Sequence, residues 1–261
     1  MPPNKWTAAI ALALLLVGCR APPVQHAPPG TAAPAHPMPP RGAAVYRIDP
    51  ARSELRVLVF RAGPMARLGH NHVISSRQLA GSVNLGGASS AASFRLEIPA
   101  DAFTVDDWQD RSTEGADFAE PVSEDAKQGT RHHMLGSALL DGEQHPLIIV
   151  QSIGIEGSEP ALAATVSIAV AGHESQQRIP FVLTRSATRL DATADFRLRQ
   201  SSLGLTPFSI MMGALQVQDE LQVKITVVAI PASSEVDPRG VEPRGAGQRR
   251  DDDRSPLGRE E

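Results

Sequence analysis

The chain has 261 residues, a formal net charge of −4 and aromatic side chains at only 4% of its positions. That length holds one large domain or two small ones. The mild acidity, with no basic patch interleaved with aromatics, excludes a nucleic-acid binder, and a single tyrosine, Tyr46, argues against stacking platforms for single strands.

Residues 1–19 read as a targeting segment. Lys5 supplies a positive start, and the apolar run 8–17 ends in Leu16-Val17-Gly18-Cys19. The run is too short to cross a bilayer. A small residue followed by cysteine at the end of such a run resembles the bacterial lipoprotein signal, which implies that Cys19 is the acylated lipid anchor to a membrane. Cys19 is the only cysteine, so no intrachain disulfide forms. Acylation with two or more chains gives stable attachment, whereas one chain is marginal. Arg20 stands where an Asp would direct retention, so the same resemblance implies the outer rather than the inner membrane, with the protein facing the periplasm. Residues 20–44 are rich in Pro and Ala (Pro22, Pro23, Pro28, Pro29, Pro34, Pro37, Pro39, Pro40) and read as an extended spacer.

From residue 45 to 231 the dominant period is two, the mark of strands. The run 55–60 is broken by Gly63 and Pro64. The segment that follows, Arg67-Leu68-Gly69-His70-Asn71-His72-Val73-Ile74, reads as a turn or one short helix before the run 79–85. His70 and His72 are two apart and, if extended, point to one side. That suits a metal, an anionic head group, or hydrogen bonds that brace the loop; a metal needs three or four ligands. In residues 93–98, Phe94, Leu96 and Ile98 oppose Ser93, Arg95 and Glu97. The carboxylate pairs Asp106-Asp107 and Glu124-Asp125 fall in polar loops or at a helix start, where solvation or the helix dipole suffices.

Helical signal is confined to residues 123–135, with Ser123 as N-cap and Gly136 just past the end. The runs 147–155, 161–170, 179–185, 188–198 and 215–229 alternate again. The cleanest is 188–198, where Leu190, Ala192, Ala194, Phe196 and Leu198 share one face. The apolar stretch 203–213 interrupts the pattern and reads as a plug for one end of the domain or as an adaptable lip, Met211 and Met212 being flexible and polarisable. Residues 232–261 are polar and rich in Gly and Pro, too poor in aliphatics to offset ordering entropy, and read as a disordered tail.

One short helix cannot cover so many apolar strand faces. They cover one another in a sandwich or close on themselves as a barrel, and strands as long as 215–229 suit closure, which removes exposed edges. Whether side chains fill the interior or leave room for a small apolar ligand is open at this point. No Gly-x-Ser-x-Gly, Walker loop, dinucleotide glycine pattern or His-Glu-x-x-His is present, and no residue is singled out as catalytic.

Tyr46-Arg47-Ile48-Asp49-Pro50-Ala51-Arg52-Ser53, Leu79-Ala80-Gly81-Ser82-Val83, Arg131-His132-His133-Met134, Pro146 before Leu147, Ala171-Gly172-His173 and Asp195-Phe196 together resemble the YceI-like, polyisoprenoid-binding family across residues 45–231. The resemblance implies an all-β fold: an eight-stranded antiparallel lipocalin-like barrel with one short helix. It implies a non-enzymatic, exported protein whose interior takes a long apolar lipid of the isoprenoid quinone or polyprenyl type; no other cofactor is indicated, and protein partners are left open. The chain departs from the family pattern at Ala171 and in its Gly69-His70-Asn71-His72 cluster. The expected ligand-binding residues are Arg67, Leu68, His70, His72, His133, Phe208, Met211 and Met212, with segments 67–74 and 203–213 together at one barrel end as the entrance. The rival reading is a periplasmic redox accessory protein that holds metal or haem through His70, His72, His133 and His173.

Overall fold

The computed structural model describes residues 44–86 and 92–232. Cys19, nearly all of the spacer and nearly all of the tail lie outside the described residues. In chain order the strands begin with β1 (Ala44–Ile48), β2 (Glu54–Val59), β3 (Arg61–Ala62), β4 (His72–Ser76), β5 (Ala80–Leu85), β6 (Ser93–Pro99) and β7 (Thr104–Val105). Two helices follow, α1 (Trp108–Ser112) and α2 (Glu124–Leu135). The long strands are β8 (Leu147–Ser158), β9 (Ala161–Val170), β10 (His173–Arg185), β11 (Leu190–Arg199) and, after the short β12 (Ser209–Ile210) and β13 (Leu215–Val217), β14 (Glu220–Pro231).

Among the described residues, eight antiparallel strands close a barrel in the order β1, β5, β6, β8, β9, β10, β11, β14 and back to β1. The alternation read from the sequence is the reason. Leu190, Ala192, Ala194, Phe196 and Leu198 of β11 face the lumen beside Leu221, Val223, Ile225 and Val227 of β14, in a register that sets Phe196 opposite Val223. Leu162, Ala164, Val166, Ile168 and Val170 of β9 do the same against β8 and β10. Each large aliphatic side chain removed from water contributes roughly 1.5–3 kcal/mol.

The motif 46–53 has a structural cause. A single-turn 3-10 helix, Pro50–Arg52, splits one long strand into β1 and β2, and both halves pair with β14. At the break the Val228 carbonyl still accepts from the Asp49 N–H at 2.8 Å, and Ser53, buried, takes the other half of the ladder: its hydroxyl accepts from the Val228 N–H at 3.0 Å. Asp49 caps the turn by accepting from the Ala51 N–H, with Pro50 preset for the first position. Gly81 of the second motif sits at φ 141°, and a Cβ there would lie 2.0 Å from the Arg95 carbonyl of β6, so only glycine lets these two strands meet.

Three expectations need correction. The run 55–60 is no separate wall position but the continuation of β1. Residues 72–76 form strand β4 beside β2, and the turn expected there is shorter, a 3-10 turn at Ala66–Leu68. The run 215–229 is not one strand: β13 leaves the wall to join a small sheet with β3 and β12. The kink is held by hydrogen bonds that alternation cannot reveal. The Asp219 carboxylate accepts from the Ser201 N–H and hydroxyl at 2.8 and 2.6 Å, and the Gln218 carbonyl accepts from the Gln200 amide. The helix is as expected, with the Ser123 hydroxyl accepting from the Ala126 N–H. Arg131 pins α2 by donating to the carbonyls of Phe103 and Asp101.

Candidate ligand site

The lumen encloses a cavity of about 760 Å³, inside the range of sites that hold small molecules. Small lumen residues make the room: Ala164, Ala192 and Ala194 stand where larger aliphatics would meet across the barrel. The lining is aliphatic and aromatic along its length. Of its eight polar side chains, Arg185 and Thr193 belong to the end where β10 turns into β11. The other six, His72, Thr130, His133, Gln200, Thr206 and Ser209, belong to the opposite end, where α2 and residues 203–217 cap the barrel. The cavity is therefore an apolar tube whose polar side chains are concentrated at the capped end, with Arg185 and Thr193 at the other.

His72 is the best-held group at that end. It opens β4, and its Nδ1 lies 2.6 Å from Asp106 Oδ2. Asp106 is fully buried in the left-handed region, at φ 55°. Its other oxygen accepts from the Val73 N–H at 2.9 Å and from Arg111 at 2.5 Å. Arg111, also buried, donates to the carbonyls of Asn71 and Glu120 and lies over the Phe118 ring. Burial pushes the Asp106 carboxyl up, but His72, the Val73 N–H and Arg111 outweigh it and hold the group below the ordinary carboxylate range. An ionised carboxylate only accepts, so Nδ1 carries the proton and Nε2 is the ring nitrogen left for a ligand. His133, on α2, packs its ring 5.0 Å from that of Phe208.

The structure brings the two predicted entrance segments together at this end. β3 pairs with β13, and the Met65 N–H donates to the Ala214 carbonyl at 2.8 Å. Gly63, at φ 90°, permits the approach: a Cβ there would lie 2.6 Å from two carbonyl oxygens of residues 213 and 214. Of the predicted residues, His72, His133 and Phe208 line the cavity. His70 does not, although its ring is 6.3 Å from that of His72. Arg67, Leu68, Met211 and Met212 are exposed on the outside of the same end. His173 is exposed and packs against Gly204. Among the described residues no three His, Cys, Asp or Glu side chains meet in a metal-binding group, so the four-histidine site of the rival reading does not assemble.

Sequence reading missed the segment 106–120. Asp107 does cap a helix, accepting from the Gln109 N–H at 2.8 Å, but Asp106 is not a solvated loop residue. Asp110 is buried too. It accepts from the Ser75 hydroxyl at 2.6 Å and pairs with Arg77 and Arg56, while Glu114 binds Arg56 and Lys224. Phe118 closes a second apolar cluster over Leu58 and Val73 on the outer face of β2 and β4. The available signal was the unbroken apolar run Val57-Leu58-Val59-Phe60, which marks a strand covered on both faces.

Comparison with solved structures finds similar chains at low sequence identity. Burkholderia cenocepacia BcnA superposes with a TM-score of 0.50 at 13% identity, over 69% of this chain and 98% of that one. A polyisoprenoid binding domain from Saccharophagus degradans gives 0.46 at 11% identity, over 73% and 99%. The Campylobacter jejuni YCEI protein gives 0.45 at 12% identity, over 61% and 84%. Comparison with the curated proteins finds no match. The model of the YceI-like domain matches residues 46–229, from the strand that opens the barrel to the one that closes it, and the chain belongs to the YceI-like family.

Proposed function

We propose that this protein is a membrane-anchored lipoprotein of the cell envelope, facing the periplasm from the outer membrane, whose barrel binds a long-chain apolar lipid of the isoprenoid quinone or polyprenyl type without transforming it. The observation that carries the reading is the tube of about 760 Å³ with six of its eight polar side chains gathered at one end. Such a shape suits a ligand with a long apolar tail and one polar head. The tail lies along Phe196, Val223 and their neighbours, where each buried methylene contributes about 0.8 kcal/mol. The head meets His72, His133 and Thr206. Family membership supports the ligand class, since the YceI-like resemblance implies polyisoprenoid binding. Cys19 supplies the anchor and residues 20–44 the spacer.

Mass spectrometry of protein purified without harsh detergent tests the lipid; a stoichiometric prenyl-chain adduct is expected, and an empty barrel after incubation with such lipids overturns the reading. Replacing Cys19→Ala is expected to release the protein from membranes. Retention in the membrane pellet after a carbonate wash would mean that acylation is not the anchor.

A further inference from the structure

We propose that the small sheet β3–β13–β12 and its two 3-10 turns form a membrane-contacting tip, with an anionic bilayer surface as its occupant. Among the described residues nine large apolar side chains are exposed, and four of them, Leu68, Ile210, Met211 and Met212, sit on this one sheet and its turns. Met212 is wholly exposed. Exposed apolar side chains gathered this way mark an interaction surface.

Three further observations select a bilayer. The patch is continuous with the mouth of the cavity: Phe208 and Ser209 line the lumen, and Ile210 to Met212 follow directly in the chain. A water-insoluble ligand entering here passes from acyl chains to barrel without crossing water. The charge also matches. Residues 60–76 and 203–218, which build the tip, contain two arginines and no Asp or Glu, in a chain whose net charge is −4. Arg61 is held by the Gly69 carbonyl and faces Glu120, whereas Arg67 is exposed and forms no ion pair among the described residues. An apolar tip flanked by a free guanidinium is the pattern of a segment that lies in the interface of an anionic membrane. Last, Met211 and Met212 both hold left-handed backbones, at φ 52° and 55°, a region that residues other than Gly, Asn and Asp avoid. The fold thus accepts local strain to keep two flexible apolar side chains pointing into solvent.

The purpose of this contact rests on the lipid-binding reading; the contact itself is measurable with no ligand present. In the full chain, Cys19→Ala removes the only thiol, so Met212→Cys or Val182→Cys gives a single labelling site, the latter exposed on β10 at the opposite barrel end. Each is labelled with an environment-sensitive fluorophore and mixed with phosphatidylglycerol/phosphatidylcholine vesicles carrying brominated acyl chains. The label at position 212 is expected to shift to the blue and be quenched about twofold, the response of a group several ångströms inside the interface, with position 182 unchanged. Arg67→Gln is expected to weaken vesicle binding about fivefold at low salt. Equal responses at both positions, a response at 182 alone, or none at 212 would overturn the proposal, and the last outcome would leave the face to a protein partner.

Discussion

The two faces of β2 and β4 are built by different physics. Inward, Leu55, Val57, Val59 and Ile74 border free volume. Outward, Leu58 and Val73 are sealed beneath Phe118, and around them Asp106, Asp110 and Arg111 are buried and hydrogen-bonded. The rigidity of this end comes from the outer side. A barrel whose own side chains leave its lumen unfilled forgoes dispersion contacts among them there, and the segment 106–120 adds such contacts on the outside. His72 belongs to both regions, with its ring at the cavity end and its Nδ1 on the Asp106 carboxylate.

The largest effect is expected from breaking the outer region at its centre. Asp106→Ala leaves the Arg111 guanidinium buried without its carboxylate and should cost about 3–5 kcal/mol, measured by urea unfolding. A loss below about 1 kcal/mol would mean that the buried pair is dispensable. Next come two phenylalanines that sharpen the contrast. Phe118→Ala empties a packed site and should cost about 3–5 kcal/mol, while Phe196→Ala, which already faces open volume, should cost only about 1–2 kcal/mol. Equal costs would show that the lumen is as tightly packed as the flank.

Acid should attack the same region. The carboxyls of Asp106 and Asp110 are both held below the usual range: burial raises each, and their partners more than reverse it. The unfolded chain takes up these protons near pH 3.9, whereas the folded chain resists until lower pH. Below about pH 5 the unfolded state therefore binds more protons, and the stability contributed by these groups, whole above that pH, drains away as the pH falls through the folded values. The slope of stability against pH between about 5 and 3 should be shallower in Asp106→Asn; an unchanged slope would assign the acid response elsewhere. Smaller still, Ser123→Ala should cost about 1 kcal/mol through loss of the cap of α2, and a wild-type melting temperature would show the cap to be redundant. Smallest of all in stability is Ala194→Trp. It should fit into the open lumen with a change of less than about 1 kcal/mol, yet reduce lipid occupancy more than tenfold, since tightly packed sites resist such enlargement and open ones do not. Retained occupancy would place the ligand outside the barrel.

The amino-acid sequence by itself determined the strands and which of their faces turn inward. A side-chain period of two is a property of the strand alone, so Leu190 to Leu198 and Leu221 to Val227 assign their own inner faces before any partner is known. The cap of α2 at Ser123 is equally local. The tertiary structure decided what depends on residues distant in the chain. Asp106 looks like any loop aspartate until Val73, His72 and Arg111 surround it, some of them more than thirty positions away. The kink at Gln218 and Asp219 leaves one mark in the sequence, an Asp on the apolar face between Val217 and Leu221, but the hydrogen bonds from Ser201 and Gln200 that hold it come from residues distant in the chain. Gly63 and Gly213 meet only because β3 and β13 pair, and that pairing carries the exposed methionines to the mouth of the cavity. Whether the lumen is open was beyond any pattern, because it depends on the summed volumes of side chains from eight strands meeting across one axis.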